Sequence, residues 1–295
     1  MSEHPIHPNW ERAPVGVTEG YSLEITAKDI DSLRDAAPLI ADETPVAVTF
    51  LPGEEQAARV AAAVAVRKLG FEPMPHFSAR RIASSDEFED YLQAVVRDAG
   101  VRRCFLVAGD PPEPEGPYFD SSALIESGAF ERAGITAIGI GGHPEGHPVM
   151  TKEQCWDVID KKIAAIESRG MAPLIVTQFG FDPDAVLSWL EELRSRGVEV
   201  PVRIGIPGPA GIKRLLRYAK YCGVGASASV LKKYGISLTK LMGSAGPDRL
   251  VDRFANELGS EHGRVRLHFY PFGGIDKSVE WINDYNKRHN IRADG

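Results

Sequence analysis

Only three of the 295 residues are cysteine, and Cys104, Cys155 and Cys222 lie far apart with no CxxC among them. An odd, scattered set excludes a disulfide framework and a cysteine-rich zinc site. No apolar run approaches the ~20 residues that a membrane span requires. The opening stretch MSEHPIHPNWERAP has neither a basic n-region nor an apolar h-region, so no signal peptide is expected and the chain reads as cytoplasmic. Positive charge is in deficit: 34 basic against 41 acidic residues leave a net charge of −7. That argues against nucleic acid or an anionic membrane as the main partner. Walker and GxSxG motifs are missing, and no GxGxxG stands in a strand–turn–helix setting, so a P-loop, a hydrolase elbow and a Rossmann site are all unsupported.

What remains is ordinary globular material, 43% hydrophobic and 25% charged, enough to bury a large core. Residues 1–17 are polar and proline-bearing and read as an arm; residues 18–295 read as one domain. In that domain short β-branched or apolar runs alternate with segments of helical period. The predicted strands are Tyr21–Thr26, Pro45–Phe50, Glu72–Phe77, Arg103–Gly109, Ile135–Gly142, Pro173–Phe179, Pro201–Ile206 and Val265–Phe272. Helical patterns follow each, among them Asp29–Ile40, Ser122–Ala133, Lys152–Arg169 and Ala210–Tyr221. Eight βα units in one chain point to a closed (β/α)8 TIM barrel, with a doubly wound open sheet as the alternative. Extra helical material (SVLKKYG, SLTKLMG, DRLVDRFANELG) stands between the seventh and eighth units.

In such a barrel the chemistry sits at the C-terminal ends of the strands. Those ends carry Glu24, Thr49, His76, Asp110, His143 with His147, Gln178, the GIPGPAG loop, and Tyr270 with Phe272. Glu24, flanked by apolar residues in SLEIT, is an inward carboxylate; partial desolvation suits it to general acid work, and a structural ion pair is the plainer alternative. Asp110 caps a strand before two prolines, where it either serves the site or makes an Asx turn. His143 and His147 have HxxxH spacing, but Pro144 and Gly146 break the helical geometry a metal pair needs, so no metal is expected. The loops after strands seven and eight resemble barrel phosphate sites, which by itself suggests a phosphorylated substrate.

Taken in order, HPEGHP (His143–Pro148), VTQFGFD (Val176–Asp182) and LHFYPF (Leu267–Phe272) resemble the methylenetetrahydrofolate reductase family. AVTF (Ala47–Phe50), PHF (Pro75–Phe77) and AGDPP (Ala108–Pro112) add to the resemblance, which runs from about Glu24 to Phe272. The resemblance implies a (β/α)8 barrel that binds FAD without a Rossmann motif and forms a homo-oligomer. It implies reduction of 5,10-methylenetetrahydrofolate to 5-methyltetrahydrofolate by NADH or NADPH in a ping-pong cycle. Glu24 then matches the general acid and Asp110 the aspartate that faces flavin and pterin. Gln178, with Phe179, Tyr270 and Phe272, falls to the substrate. Thr49, His76, Ala108, Gly109, Asp110, Gly141, Gly142, His143, His147, Asp157 and Asp160 fall to FAD. The implied member is short, without a C-terminal regulatory domain.

The chain also departs from the family pattern. ITAKD replaces the frequent EFFPP run, Ala108 stands where arginine is common, His143 where tyrosine is frequent, and Gly274 where arginine often follows. Arg80, Arg81 and Lys161 are candidates for the missing charge. Two other readings stay open: a lyase or aldolase acting on a phosphorylated substrate, and a non-catalytic flavin or folate carrier.

Overall fold

Alternation along each strand sorts its side chains between two interiors, one inside a barrel and one beneath a ring of helices. The computed structural model describes residues 14, 16–225, 231, 234 and 243–291. Its strands are β1 (Ser22–Ile25), β2 (Pro45–Val48), β3 (Glu72–Ser78), β4 (Arg103–Val107), β5 (Ala137–Gly142), β6 (Ala172–Phe179), β7 (Val202–Pro207) and β8 (Val265–Tyr270). Each pairs in parallel with its sequence neighbours, and β8 pairs with β1 to close the barrel. The closed (β/α)8 architecture is therefore the one the alternation predicts.

Leu23, Ile25, Val46, Val48, Phe77, Ile138 and Leu267 point outward into the main core. Ala47, Met74, Phe105, Ala137, Leu174 and Val176 form a separate cluster inside the barrel. Their sizes interlock. A Cβ at Gly139 would run into the Phe105 ring, so the glycine makes room for the one large aromatic of that layer.

The helices begin where the caps are. Thr26 and Thr151 form capping boxes, and Ser84 and Asp182 accept from the backbone of the turns they open. The main outer helices include α1 (Ile30–Ala36), α2 (Gln56–Lys68), α3 (Ser85–Ala99), α6 (Lys152–Glu167), α7 (Pro183–Ser195) and α8 (Ile212–Tyr221). The predicted helix Ser122–Ala133 is two pieces, α4 (Ser121–Glu126) and α5 (Ala129–Arg132), because Gly128 takes φ +72° between them. Pro38 likewise turns the end of the predicted Asp29–Ile40 helix into a 3-10 turn, Ala37–Leu39.

Of the material before β8, DRLVDRFANELG forms α9 (Asp248–Glu257), and α10 (Ile275–Arg288) closes the chain. SVLKKYG and SLTKLMG lie outside the described residues apart from Leu231, Tyr234 and Gly243, as does most of the arm. A two-residue antiparallel pairing, Ala210–Gly211 with Ser244–Ala245, ties the start of α8 to the chain before α9. Among the described residues no helix is long and apolar enough to cross a membrane.

Candidate active site

On β1 the outward Leu23 and Ile25 are buried in the core, which leaves Ser22 and Glu24 facing the barrel interior. Glu24 pairs in register with Ala47, whose small side chain leaves the space beside it open. Two imidazoles fill the other sides. Glu24 Oε2 is 3.7 Å from His76 Nε2 and 3.6 Å from His268 Nε2. Ser22 Oγ lies 2.8 Å from His268 Nδ1, so the ring is fixed at its far nitrogen and presents the near one to the carboxylate. Burial lowers the His76 pKa to about 4; the Glu24 charge opposes this only in part, and His76 is neutral at physiological pH. Tyr270 lies edge-on to His268 and donates to the Thr177 carbonyl at 3.1 Å. Burial first, then the Glu24 charge, raises its pKa well above that of a free phenol, so the hydroxyl stays protonated.

A register shift in β6 between Val176 and Phe179 shapes the next part of the rim. Thr177 Oγ1 accepts from Gly205 N at 2.8 Å, and Gln178 Oε1 accepts from the neighbouring Phe179 N at 3.1 Å. Phe179 packs edge-on against Tyr270 and Phe272, and Tyr218 of α8 stacks on Phe272 at 4.2 Å. Thr49, at the end of β2, donates to the Ile25 carbonyl at 3.1 Å.

Asp110 follows β4 through Ala108 and Gly109. Gly109 has φ +95°, and a Cβ there would drive into Ser78 Oγ, so only glycine makes this turn without displacing β3. Asp110 is exposed, 3.0 Å from the Arg81 guanidinium, and it accepts a 3.0 Å hydrogen bond from the Tyr221 hydroxyl. Partial burial pushes its pKa up, but the bonds from Arg81 and Tyr221 outweigh that and hold the carboxyl below its ordinary range. Tyr221 closes α8, so this bond joins the β4 end of the rim to the segment after β7.

The β5 end carries Gly141, Gly142 and the histidine loop. The His143 and His147 rings meet edge to face at 4.7 Å. Burial, then His147 and Lys162, lowers the His143 pKa to about 4; burial and Lys162 shift His147 the same way. Glu145 accepts from Phe181 N and Asp182 N at 2.6 and 2.8 Å, which ties this loop to the start of α7. A cavity of about 390 Å³ opens between the loop, α6 and α7, with Trp156 and Trp189 among its walls.

The sequence pattern of the methylenetetrahydrofolate reductase family matches residues 24–274, and its first matched residue is Glu24. The chain belongs to this family. It is 23% identical to methylenetetrahydrofolate reductase 1 of Schizosaccharomyces pombe, over 96% of this chain and 47% of that protein. The NADH-type reductase 1 of Arabidopsis thaliana is 25% identical over 64% of this chain and 34% of its own length. The 5,10-methylenetetrahydrofolate reductase of Salmonella typhimurium is 26% identical over 53% and 51%. The chain thus spans about half or less of the length of these relatives. Among solved structures, a Clostridium thermocellum protein that binds two copies of 5-methyl-5,6,7,8-tetrahydrofolic acid shares the fold. Its TM-score is 0.61 at 14% identity, over 95% of this chain and 98% of that one. Dihydropteroate synthase of Thermus thermophilus has a TM-score of 0.50 at 15% identity, over 90% and 94%.

The barrel gathers Glu24, His76 and Tyr270 into one lining beside Phe272, and Asp110 and Gln178 stand on its rim; Phe179, expected at the substrate, is instead buried in the main core, where it supports Tyr270 and Phe272 from behind. Asp157 and Asp160 are exposed on α6, and their side chains form no hydrogen bond or ion pair with a described residue. Lys161 is exposed as well; the cation that faces the histidine loop is its neighbour Lys162, whose pKa burial lowers and Asp120 partly restores. Arg80 donates to the carbonyls of Phe119 and Pro111, while Arg81 takes Asp110.

Sequence reasoning missed His268 and Ser22. The period of two that singles out Tyr270 and Glu24 also turns His268 and Ser22 inward, and that was the available signal. The loops after β7 and β8 do not open as a phosphate cradle. Gly208 N donates to the Tyr270 carbonyl, Phe272 N to the same oxygen and Gly274 N to the Pro271 carbonyl, so these amides are already engaged.

Proposed function

We infer that this chain reduces 5,10-methylenetetrahydrofolate to 5-methyltetrahydrofolate with NADH or NADPH, using bound FAD. The observation that carries the reading is Glu24: in a chain of this family, a carboxylate recessed in the barrel between two imidazoles. The residues present fit the flavin. Gly141 has open space where a Cβ would be, limited only by the His143 ring, so a flat group can approach the strand end. Arg81, at the Asp110 end of the rim, and Lys162, whose charge is felt by the histidine loop, are the cations available to a diphosphate, Arg81 by exchanging its pairs with Asp110 and Glu115 for it, and neutral His76 and His143 can hydrogen-bond to heterocycle or ribose oxygens. When bound, FAD would supply the hydride-carrying chemistry that couples oxidation of NAD(P)H to reduction of the folate in two half-reactions.

The roles of the protein's own groups follow from chemistry. Glu24 gives a proton to the imidazolidine nitrogen of the folate as that ring opens to the electrophilic iminium. His268, held by Ser22, orients the carboxylate and accepts part of its charge. Asp110 receives the pterin amino groups once Tyr221 yields its bond, and Gln178 and the Tyr270 and Phe272 rings, backed by Phe179, hold the ring system flat. No lysine occurs in any barrel strand, so a Schiff-base lyase lacks its nucleophile. The test is the visible spectrum of the purified protein, followed by mixing with NAD(P)H and then the folate. Flavin absorbance that bleaches with NAD(P)H and returns with the folate supports the reading. A colourless protein that takes up no added FAD overturns it, and bleaching without return leaves only a flavin-binding protein.

A further inference from the structure

Four buried polar atoms belong to one cluster behind the loop that follows β2, and none has a hydrogen-bond partner among the described residues: Glu54 Oε1 and Oε2, Arg59 Nε and the Tyr91 hydroxyl. Buried polar groups are nearly always satisfied, so four orphans in one cluster call for a cause. Glu54 belongs to the loop, Arg59 to the start of α2 and Tyr91 to α3.

Arg59 draws the three together. Arg59 and Tyr91 are each 2% exposed. The guanidinium carbon stands 3.6 Å from the centre of the Phe50 ring and 5.0 Å from that of Tyr91. Its Nη1 donates to the Glu54 backbone carbonyl at 2.6 Å, while the carboxylate of the same residue takes no bond from it. The Tyr91 hydroxyl senses both neighbours. Burial raises its pKa, the Arg59 charge opposes this and the Glu54 charge adds to it, so the hydroxyl keeps its hydrogen to give.

The chemistry of the set selects an occupant. Arg59 Nε–H and the Tyr91 O–H are donors, and the two Glu54 oxygens are acceptors. A cation would face the Arg59 guanidinium and an anion the Glu54 carboxylate, each at short range in a dry setting. A neutral molecule that accepts two hydrogen bonds and donates two matches the set atom for atom. The four atoms are closed off from solvent, so that molecule is also small.

We propose that a water molecule is bound here, accepting from Arg59 Nε and the Tyr91 hydroxyl and donating to the Glu54 carboxylate. It ties the loop after β2 to α2 and α3, and that loop begins at Thr49 on the barrel rim. Waters of this kind typically make about three hydrogen bonds and are costly to remove.

The experiment compares urea unfolding of the full-length protein as wild type, Tyr91→Phe, Glu54→Gln and the double variant. It adds a crystal structure of wild type at a resolution that shows ordered water. Deleting an orphan hydroxyl leaves stability unchanged or raised, whereas deleting one bonded to a held water lowers it. Tyr91→Phe should therefore lower the folding equilibrium constant roughly fivefold, the worth of one hydrogen bond. In the Glu54→Gln background the same change should cost less, because the water has already lost one acceptor. Density within hydrogen-bonding distance of all three side chains, with a destabilised Tyr91→Phe, supports the proposal. A Tyr91→Phe protein as stable as wild type overturns it, and so do losses that simply add in the double variant. A direct bond from Tyr91 or Arg59 to the Glu54 carboxylate in the crystal, or density with the short contacts of a metal ion, overturns it as well. The wild-type crystal structure reads the site without relying on any variant, and neither measurement depends on folate or flavin.

Discussion

Glu24 and His268 face each other across the seam that closes the barrel, carboxylate oxygen to imidazole nitrogen at 3.6 Å, on adjacent strands β1 and β8. Ser22, two residues before Glu24 on the same strand, holds the other side of that ring. One four-residue strand thus supplies both the carboxylate and the hydroxyl that fixes the carboxylate's neighbour.

Glu24→Gln should keep flavin binding and reduction by NAD(P)H yet stop folate reduction. The amide preserves shape but has no proton to give, and only the folate step needs one. Loss of general acid catalysis costs ~10²–10⁴-fold. Stopped-flow measurement of the two half-reactions separates the outcomes: equal loss in both would make Glu24 a structural residue.

The buried histidines set a pH dependence of stability. His76 and His143 both have pKa values of about 4 in the folded chain against about 6.5 when unfolded. Between those values the unfolded chain binds more protons, so stability falls as pH falls. The contribution is complete above pH ~6.5 and lost by pH ~4, on the order of 3 kcal/mol for His76 and less for His143. Urea midpoints between pH 7 and pH 4 should drop steeply, and His76→Asn should flatten that fall. A midpoint as pH-sensitive in the variant as in wild type would show that other groups carry it.

How much of this the sequence disclosed depends on the element. β-branched runs such as Pro45–Val48 and Val202–Pro207 locate the strands to within a residue or two, because burial on both faces leaves little room for polar residues. The break at Gly128 was hidden, since one glycine inside a helical pattern is compatible with either outcome. The site splits in the same way. Glu24 could be found from its apolar flanks, but the choice of Lys162 over Lys161 depends on helix phase. Ile159, Ile163 and Ile166 are buried, and Lys162 flanks that face where Lys161 does not. The Asp110–Tyr221 bond joins residues 111 apart in sequence, and no local pattern announces it.

Asp110→Asn should affect both half-reactions, in opposite senses. Removing a negative charge near the flavin should raise its reduction potential, so NAD(P)H reduces it more readily and it gives hydride to folate less readily. Arg81 at 3.0 Å already neutralises part of that charge, so Arg81→Ala should move the potential the other way. Redox titration of both variants, with folate affinity measured alongside, is the check. Unchanged potential and affinity in Asp110→Asn would reduce the residue to a turn former before Pro111 and Pro112.

The three cysteines should differ in reactivity in an order that reports on the barrel mouth. Cys104 is buried among core residues behind β4 and should resist alkylation in the native state. Cys155 and Cys222 are both partly exposed, so access alone does not separate them. Cys222 follows Tyr221 at the end of α8. Burial, then the charge of Glu24, pushes its thiol pKa up to about 11. At pH 8 that leaves about one thiolate in a thousand, and the thiolate is the species that reacts. Cys155, on α6, is shifted upward by burial alone. Timed N-ethylmaleimide labelling followed by peptide mass spectrometry should therefore find Cys155 modified first, Cys222 much later and Cys104 last. Glu24→Gln should speed the labelling of Cys222 and leave Cys155 unchanged, because only Cys222 feels that carboxylate. Equal rates at Cys155 and Cys222 in wild type, or no response to Glu24→Gln, would mean that the segment after α8 does not rest against the Glu24 side of the mouth.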